Sequence, residues 1–286
     1  MLNGKRPHEL VVLRELLNGD ASLSEGRLRM LLDEHHCASD DATIVSLKRI
    51  LTQEFFTQTQ REQYGSPLVT AAGGEIQLSS SVRESLKSHV FRRHLNDAIE
   101  TGLYLARHQH QWSSGLEIGN RYSRKDVCRL LNWRKNEEGT INGYKVDTYS
   151  GTCPIFVTYH KHEDVSASTA YGDEFLNQSE MHWFTRSRRT LASAEVQAIV
   201  TNRIPLHLFA KKDNAEGRDY YYLGEARASS PQQTQMPNDG APLSVVTMTL
   251  GLDSPIESSL YDYFVSTTDV EVEYEGLTSR SRQSTP

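Results

Sequence analysis

The stretch Cys153-Pro154-Ile155-Phe156-Val157-Thr158-Tyr159-His160-Lys161-His162-Glu163-Asp164 changes character half-way along. From Cys153 to His160 it reads as a β-strand, with Ile155, Val157 and Tyr159 on one face and Phe156, Thr158 and His160 on the other. Both faces are partly apolar, which predicts a central strand covered on both sides. The second half gathers imidazole, ammonium and carboxylate groups, which suits a metal site, an acid–base pair or the rim of a pocket. His160 and His162 share a strand face, but no third ligand stands at matching spacing, and HExxH and EF-hand patterns are absent. No metal and no cofactor is therefore expected. A solvated strand end is the plainest reading of the same residues.

Downstream of this strand the chain continues in short apolar runs. Met181-His182-Trp183-Phe184-Thr185-Arg186-Ser187 reads as a strand, and Ser193-Ala194-Glu195-Val196 starts a short helix. Ile204 to Lys212 and Asp219 to Ala226 form a strand pair across the turn 213–218, and the triplet Tyr220-Tyr221-Tyr222 puts at least one tyrosine in the core. A polar loop, 228–241, leads to a last strand at 242–250, and a short helix near Ile256–Phe264 closes the fold. Upstream, Ser123 is placed to cap a helix with Asp126 in capping-box position, and Asn142-Gly143 marks a tight turn.

The first hundred residues read differently. Leu10, Leu13, Leu16 and Leu17 recur at helical spacing; Ser24 and Asp40 or Asp41 are placed as N-caps; one long helix is expected from about Ser81 to Arg107. The stretch 65–75 between them reads as a loop. The predicted organisation is a helical region over 1–112, a domain of curled, mostly antiparallel sheet over 115–265, and a disordered tail over 266–286. The fold class is α+β.

Bulk properties narrow the function. The net charge of -6 argues against a uniformly basic DNA-coating protein. The acidic excess sits in residues 227–286, with 3 Lys and Arg against 8 Asp and Glu, which leaves the middle of the chain neutral with local basic clusters. No apolar run approaches the ~20 residues of a membrane-spanning helix. Cys37, Cys128 and Cys153 are widely spaced and lack CxxC spacing, which predicts reduced thiols and a cytoplasmic protein. Phosphate-loop, helicase-box, phospholipase-D, GxSxG and kinase signatures are all missing, so no ATPase, nuclease or other catalytic activity is expected. Arg186, Arg188 and Arg189, just after Trp183 and Phe184, suit either a salt-bridged strand end or phosphate contact beside a stacking surface.

The words YSRKDVCRLLNW, GTINGY, CPIFVTYHKHED, the run from Val165 to Gln197, LFAKK and EGRDYYYLGEA, in that order, resemble the domain of unknown function found at the C-terminus of many bacterial superfamily-2 helicases. In type IV, modification-dependent restriction enzymes that domain follows a phospholipase-D-type nuclease and a helicase, and it is regarded as the DNA reader, with a fold likened to the SRA/PUA β-barrels. The resemblance implies a barrel in which Tyr159, Tyr171 and Trp183 stack on a flipped base. His160, Thr169 and Asp173 would meet its polar edge, and Lys161, Arg186, Arg188 and Arg189 would hold phosphates. Nuclease and helicase are both missing here, which implies a fragment, a separately encoded reader or a decayed remnant. The expected partner is double-stranded DNA carrying modified cytosine, with a helicase–nuclease in cis or in trans, in restriction of foreign DNA. Two other classes stay open: an adaptor that binds a protein through its helical half, and, more weakly, a metal-dependent nuclease built on the His-Glu-Asp cluster.

Overall fold

The computed structural model describes residues 3–19, 22–113, 115–160, 172–237 and 241–266. Its elements run α1 (His8–Asn18), β1 (Ser22–Ser24), α2 (Glu25–Glu34), α3 (Asp41–Leu51), α4 (Gln58–Tyr64), β2 (Val69–Ala72), β3 (Glu75–Leu78), α5 (Ser80–Ser85) and α6 (His89–His108). The second half follows with β4 (Arg121–Ser123), α7 (Arg124–Leu130), β5 (Cys153–Thr158), β6 (Glu174–Asn177), β7 (Glu180–Phe184), α8 (Ala194–Val200), β8 (Leu206–Lys211), β9 (Asp219–Met236), β10 (Leu243–Leu252) and α9 (Ser258–Val265). The architecture is α+β. Among the described residues no helix is long and apolar enough to cross a membrane.

Local chemistry sets the helix starts. Ser24 accepts from the Arg27 amide, Asp40 from the Thr43 amide, and Ser123 with Asp126 forms the reciprocal capping box. The long helix expected over 81–107 is instead two, because Ser88 caps a second start at the Phe91 amide and the chain breaks between α5 and α6. The stretch read as a loop is a hairpin. Gly73 and Gly74, at φ of 62° and 83°, make the left-handed two-residue turn that joins β2 to β3, and β1 adds to the other edge of β3. Leu23, Val69 and Ile76 then close one face of this small sheet onto α1, α2, α3 and α6 in a first core.

The large sheet has the strand order β5-β8-β9-β10-β7-β6, with β4 paired to β9. All its pairs are antiparallel except β5 with β8. The path ends at β5 and β6, so the sheet is not closed into a barrel. Phe175 and Tyr159 stack across those two ends at 5.2 Å, a side-chain contact where a barrel would have a backbone ladder. The β5 strand is therefore an edge strand. Its outer side is covered by the segment around Gly143 and Tyr144, through a hydrogen bond from the Phe156 amide to the Gly143 carbonyl. Both its faces are apolar because packed layers cover the sheet on both sides, which makes an edge strand look central.

Those layers are two cores. Ile155, Val157, Leu208, Met248 and Trp183 face α8 and α9, with Val196, Ile199 and Phe264. On the opposite face Phe156, Phe209, Tyr220 and Tyr222 meet α7 and, from the N-terminal region, Ile50, Phe55 and Phe56. Along β9 the inward side switches after Gly224, whose φ of 118° accompanies a shift of register against β8. The predicted polar loop 228–241 is largely strand: β9 runs on to Met236, paired with β10 from Leu243. Ser230 at φ 51° and Pro231 sit at the bulge in this ribbon, where a missing ladder hydrogen bond costs little.

Residues 3–9 tie the N-terminal region to α7. Lys5 Nζ lies 2.9 Å from Asp126 Oδ2, and Asn3 bridges Asp126 and Arg129 at 3.0 and 2.9 Å. Arg6, 1% exposed, pairs with the fully buried Glu9 and donates to the Arg129 carbonyl oxygen, Asn132 and Ser46. Burial alone would push the Glu9 carboxyl up; the Arg6 and Arg129 guanidinium groups hold it down at about 2. Cys37, Cys128 and Cys153 are buried and free, and burial pushes the Cys37 and Cys128 thiols up to about 12.

Two histidines make stability depend on pH. Burial lowers His207 to about 4, and burial with Arg6 nearby lowers His8 to about 4. Each ring binds a proton less readily folded than unfolded, so below the ordinary value near 6.5 the unfolded chain takes up more protons and stability falls. The unfolding free energy should fall as pH goes from 6.5 to 4, with a slope approaching ~1.4 kcal/mol per unit for each ring, and the melting temperature should fall with it. Melts at pH 7, 5.5 and 4.5 check this, and His207→Gln should flatten part of the slope. A pH-independent melt across that window would contradict it.

Candidate nucleic-acid interface

Three cavities adjoin in a row, the first and second sharing Arg186 and the second and third sharing Arg124. The middle one, about 510 Å³, is bounded by the turn 141–144, Phe156 and Thr158 of β5, Asp173, Trp183, Phe184, Arg186 and Ser187. That volume suits a small ligand such as a single base. Four aromatic rings contribute to its wall: Tyr144, Phe156, Trp183 and Phe184. Phe184 is half-buried and meets His182 edge-on at 5.0 Å, whereas Trp183 is 3% exposed and packs edge-on against Tyr144 at 5.1 Å. Asp173 Oδ1 accepts from the Phe184 amide at 3.1 Å, which fixes the carboxylate at the cavity.

Two arginines stand at the sides. Arg124 opens α7, and its guanidinium lies 5.3 Å from the Phe156 ring centre. Arg186 follows β7 and lies 4.8 Å over the Tyr144 ring. The Nε of each is buried without a hydrogen-bond partner among the described residues. Arg186 is shared with a neighbouring cavity of about 630 Å³ that also holds Lys145, Arg189 and Glu195. Glu195 organises this corner: it pairs with Arg186 at 2.7 Å and with Arg189, and accepts from the Tyr144 hydroxyl at 2.8 Å. Burial would raise the Glu195 carboxyl, but hydrogen bonds from Arg189, Tyr144 and Arg186 keep it below the usual range. Burial and the Glu195 carboxylate push the Tyr144 phenol up.

The structure brings together only part of the predicted set. Asp173, Trp183 and Arg186 line the middle cavity. Arg186 and Arg189 are committed to Glu195, while Arg188 is exposed at φ 64°. Tyr159 and His160 do not line this cavity. Tyr159 shares the Ile155 and Val157 face and packs on Phe175, and His160 Nε2 lies 2.9 Å from the Phe264 carbonyl oxygen, beside α9. Lys161, Thr169 and Tyr171 lie outside the described residues, as do His162, Glu163 and Asp164. Phe184, which the sequence places beside Trp183 as a stacking surface, lines the cavity as well; Thr158 is an addition that strand parity suggests, since it shares a face with Phe156, and Arg124 and Tyr144 are additions from separate segments.

No curated protein sequence matches the chain. Among solved structures, the DNA modification-dependent restriction endonuclease AspBHI is 10% identical, over 51% of this chain and 80% of that one, at a TM-score of 0.37. The SUVH5 SRA domain in a methylated CHH DNA complex is 13% identical, over 50% and 93%, at 0.34. The sulfur binding domain and SRA domain of ScoMcrA complexed with phosphorothioated DNA is 10% identical, over 92% and 90%, at 0.31. Likenesses this weak carry no weight for function. Family models are more definite: residues 1–111 match the domain of unknown function DUF8090, and residues 116–264, more than half of the chain, match the domain of unknown function DUF3427. The chain belongs to the DUF3427 family.

Proposed function

We propose that this chain is a non-catalytic DNA-recognition module that reads modified cytosine in duplex DNA by drawing the base out of the stack. The cavity beneath Arg124 and Arg186 carries this reading. Extruding a base costs a few kcal/mol of stacking and pairing, and a receiving site must return it through ring contact and edge hydrogen bonds. Phe184 supplies the ring at the cavity wall, with stacking contributing roughly 1–3 kcal/mol per base, while Phe156 is core and forms the cavity floor. Asp173 places a carboxylate at the cavity wall, the kind of acceptor a cytosine N4 amine needs. Thr158 adds a hydroxyl at the wall, and the exposed Arg188 supplies sequence-blind phosphate contact. In this reading the module delivers a helicase–nuclease, in cis or in trans, to modified foreign DNA.

Fluorescence anisotropy on matched duplexes with cytosine or 5-methylcytosine at one fixed salt concentration tests it. The modified duplex should bind at least about tenfold tighter, equivalent to ~1.4 kcal/mol. Equal affinity for the two duplexes would reject 5-methylcytosine as the base read, and equal affinity across a set of modified cytosines would reject modification reading altogether.

A further inference from the structure

On the far side of Arg124 from the aromatic cavity is a third cavity of about 330 Å³, where the start of α7, the end of β8 and the turn 212–218 meet. Its walls carry Arg124, Lys211 and Arg218 against one carboxylate, Glu138. Glu138 already accepts from Gln60 and Asn136, at 3.1 and 2.9 Å. Lys211 is 5% exposed, yet its ammonium group is held at the wall, 2.9 Å from the Gly217 carbonyl oxygen and 4.9 Å from the Tyr220 ring centre. Arg124 spans both cavities and donates to the Tyr220 hydroxyl at 3.3 Å, and among the described residues its buried Nε has no hydrogen-bond partner. Arg218 is exposed at the mouth. A polar, cation-walled hollow of this kind suits an anion rather than a base.

We propose that this third cavity is a phosphate site, and that it holds the backbone phosphate next to the nucleotide whose base enters the aromatic cavity. A base and its phosphate are one sugar apart, so a guanidinium shared by two adjoining cavities can hold both parts of one nucleotide. Arg124 and Lys211 would be the fixed donors and Arg218 the closing one. The proposal rests on the base-cavity reading, but the two fail separately.

Arg218→Ala and Arg218→Glu in the full chain test it, because Arg218 lies in an exposed turn outside all three cores. Arg227→Ala is the control: an exposed cation, paired with Asp253, on a different cavity. Affinity for modified and unmodified duplexes is measured across a salt series. Arg218→Ala should weaken both duplexes by the same factor, roughly 3- to 10-fold, and reduce the salt slope by about one. Arg218→Glu should weaken them further, and Arg227→Ala should change neither. Modified-base preference with unchanged affinity and slope in the Arg218 variants overturns the phosphate site and leaves the base reading standing. Equal wild-type affinity for both duplexes, with the Arg218 loss present, does the reverse. A loss of the same size in Arg227→Ala, or no duplex binding at all, also overturns it.

Discussion

Arg6→Ala should lower the stability of the whole chain by roughly 3–5 kcal/mol, read as a shift of the urea midpoint with the slope unchanged. The size follows from what is left behind. Glu9 is fully buried, and without the guanidinium its carboxylate has lost its main partner in a place water does not reach. The Arg129 carbonyl, Asn132 and Ser46 lose a donor at the same time. The doubly apolar change Arg6→Met with Glu9→Leu should recover part of the loss, because it removes the unpaired buried carboxylate, although the Arg129 carbonyl, Asn132 and Ser46 still lack their donor. A single variant within about 1 kcal/mol of the parent would show that the pair is not what joins the N-terminal segment to α7.

Trp183→Ala should cost a comparable ~3–5 kcal/mol and weaken binding to modified and unmodified duplexes alike. Its indole is 3% exposed, in the core beneath α8, and braces the Tyr144 ring on which Arg186 lies. Phe184→Ala should do the opposite. The half-buried Phe184 faces the cavity, so its loss should leave the melting temperature within a few degrees and remove most of the preference for the modified base. Thermal melts beside both affinities separate the two roles. A Trp183→Ala protein that melts like the parent and loses only its preference would return the stacking role to Trp183.

The contrast between these neighbours shows what the sequence could and could not convey. Helix starts at Ser24, Asp40 and Ser123 were legible because a cap is a bond between residues three apart. The hairpin at Gly73-Gly74 is equally local, but a glycine pair in one stretch with Ser66 and Pro67 has the composition of a loop as much as of a turn. The extension of β9 was not legible. Gln232, Gln233, Thr234 and Gln235 are exposed and look like a loop, and they are strand only because Ser244 to Thr247 pair with them. Asp173, Trp183 and Arg186 stood out as charged and aromatic residues around one strand, and they do share a cavity. Tyr159 joins the same group only through the implied barrel, and strand parity, which sets it with Ile155 and Val157, sends it to the α9 side. Arg124 and Tyr144 come from separate segments, brought to the cavity by a topology that no local pattern encodes.

The parallel pairing of β5 with β8 has a cost in time. Cys153 to Thr158 is an apolar run whose ladder partner, Leu206 to Lys211, is made only after β6, β7 and α8. At roughly 5–20 residues per second of synthesis, the run waits seconds for its partner. Closing so long a loop before any non-local contact forms also slows refolding in vitro. During that interval CPIFVT is a β-prone segment with an unpaired edge, which makes nascent and refolding chains the stage at which this protein is most exposed to aggregation.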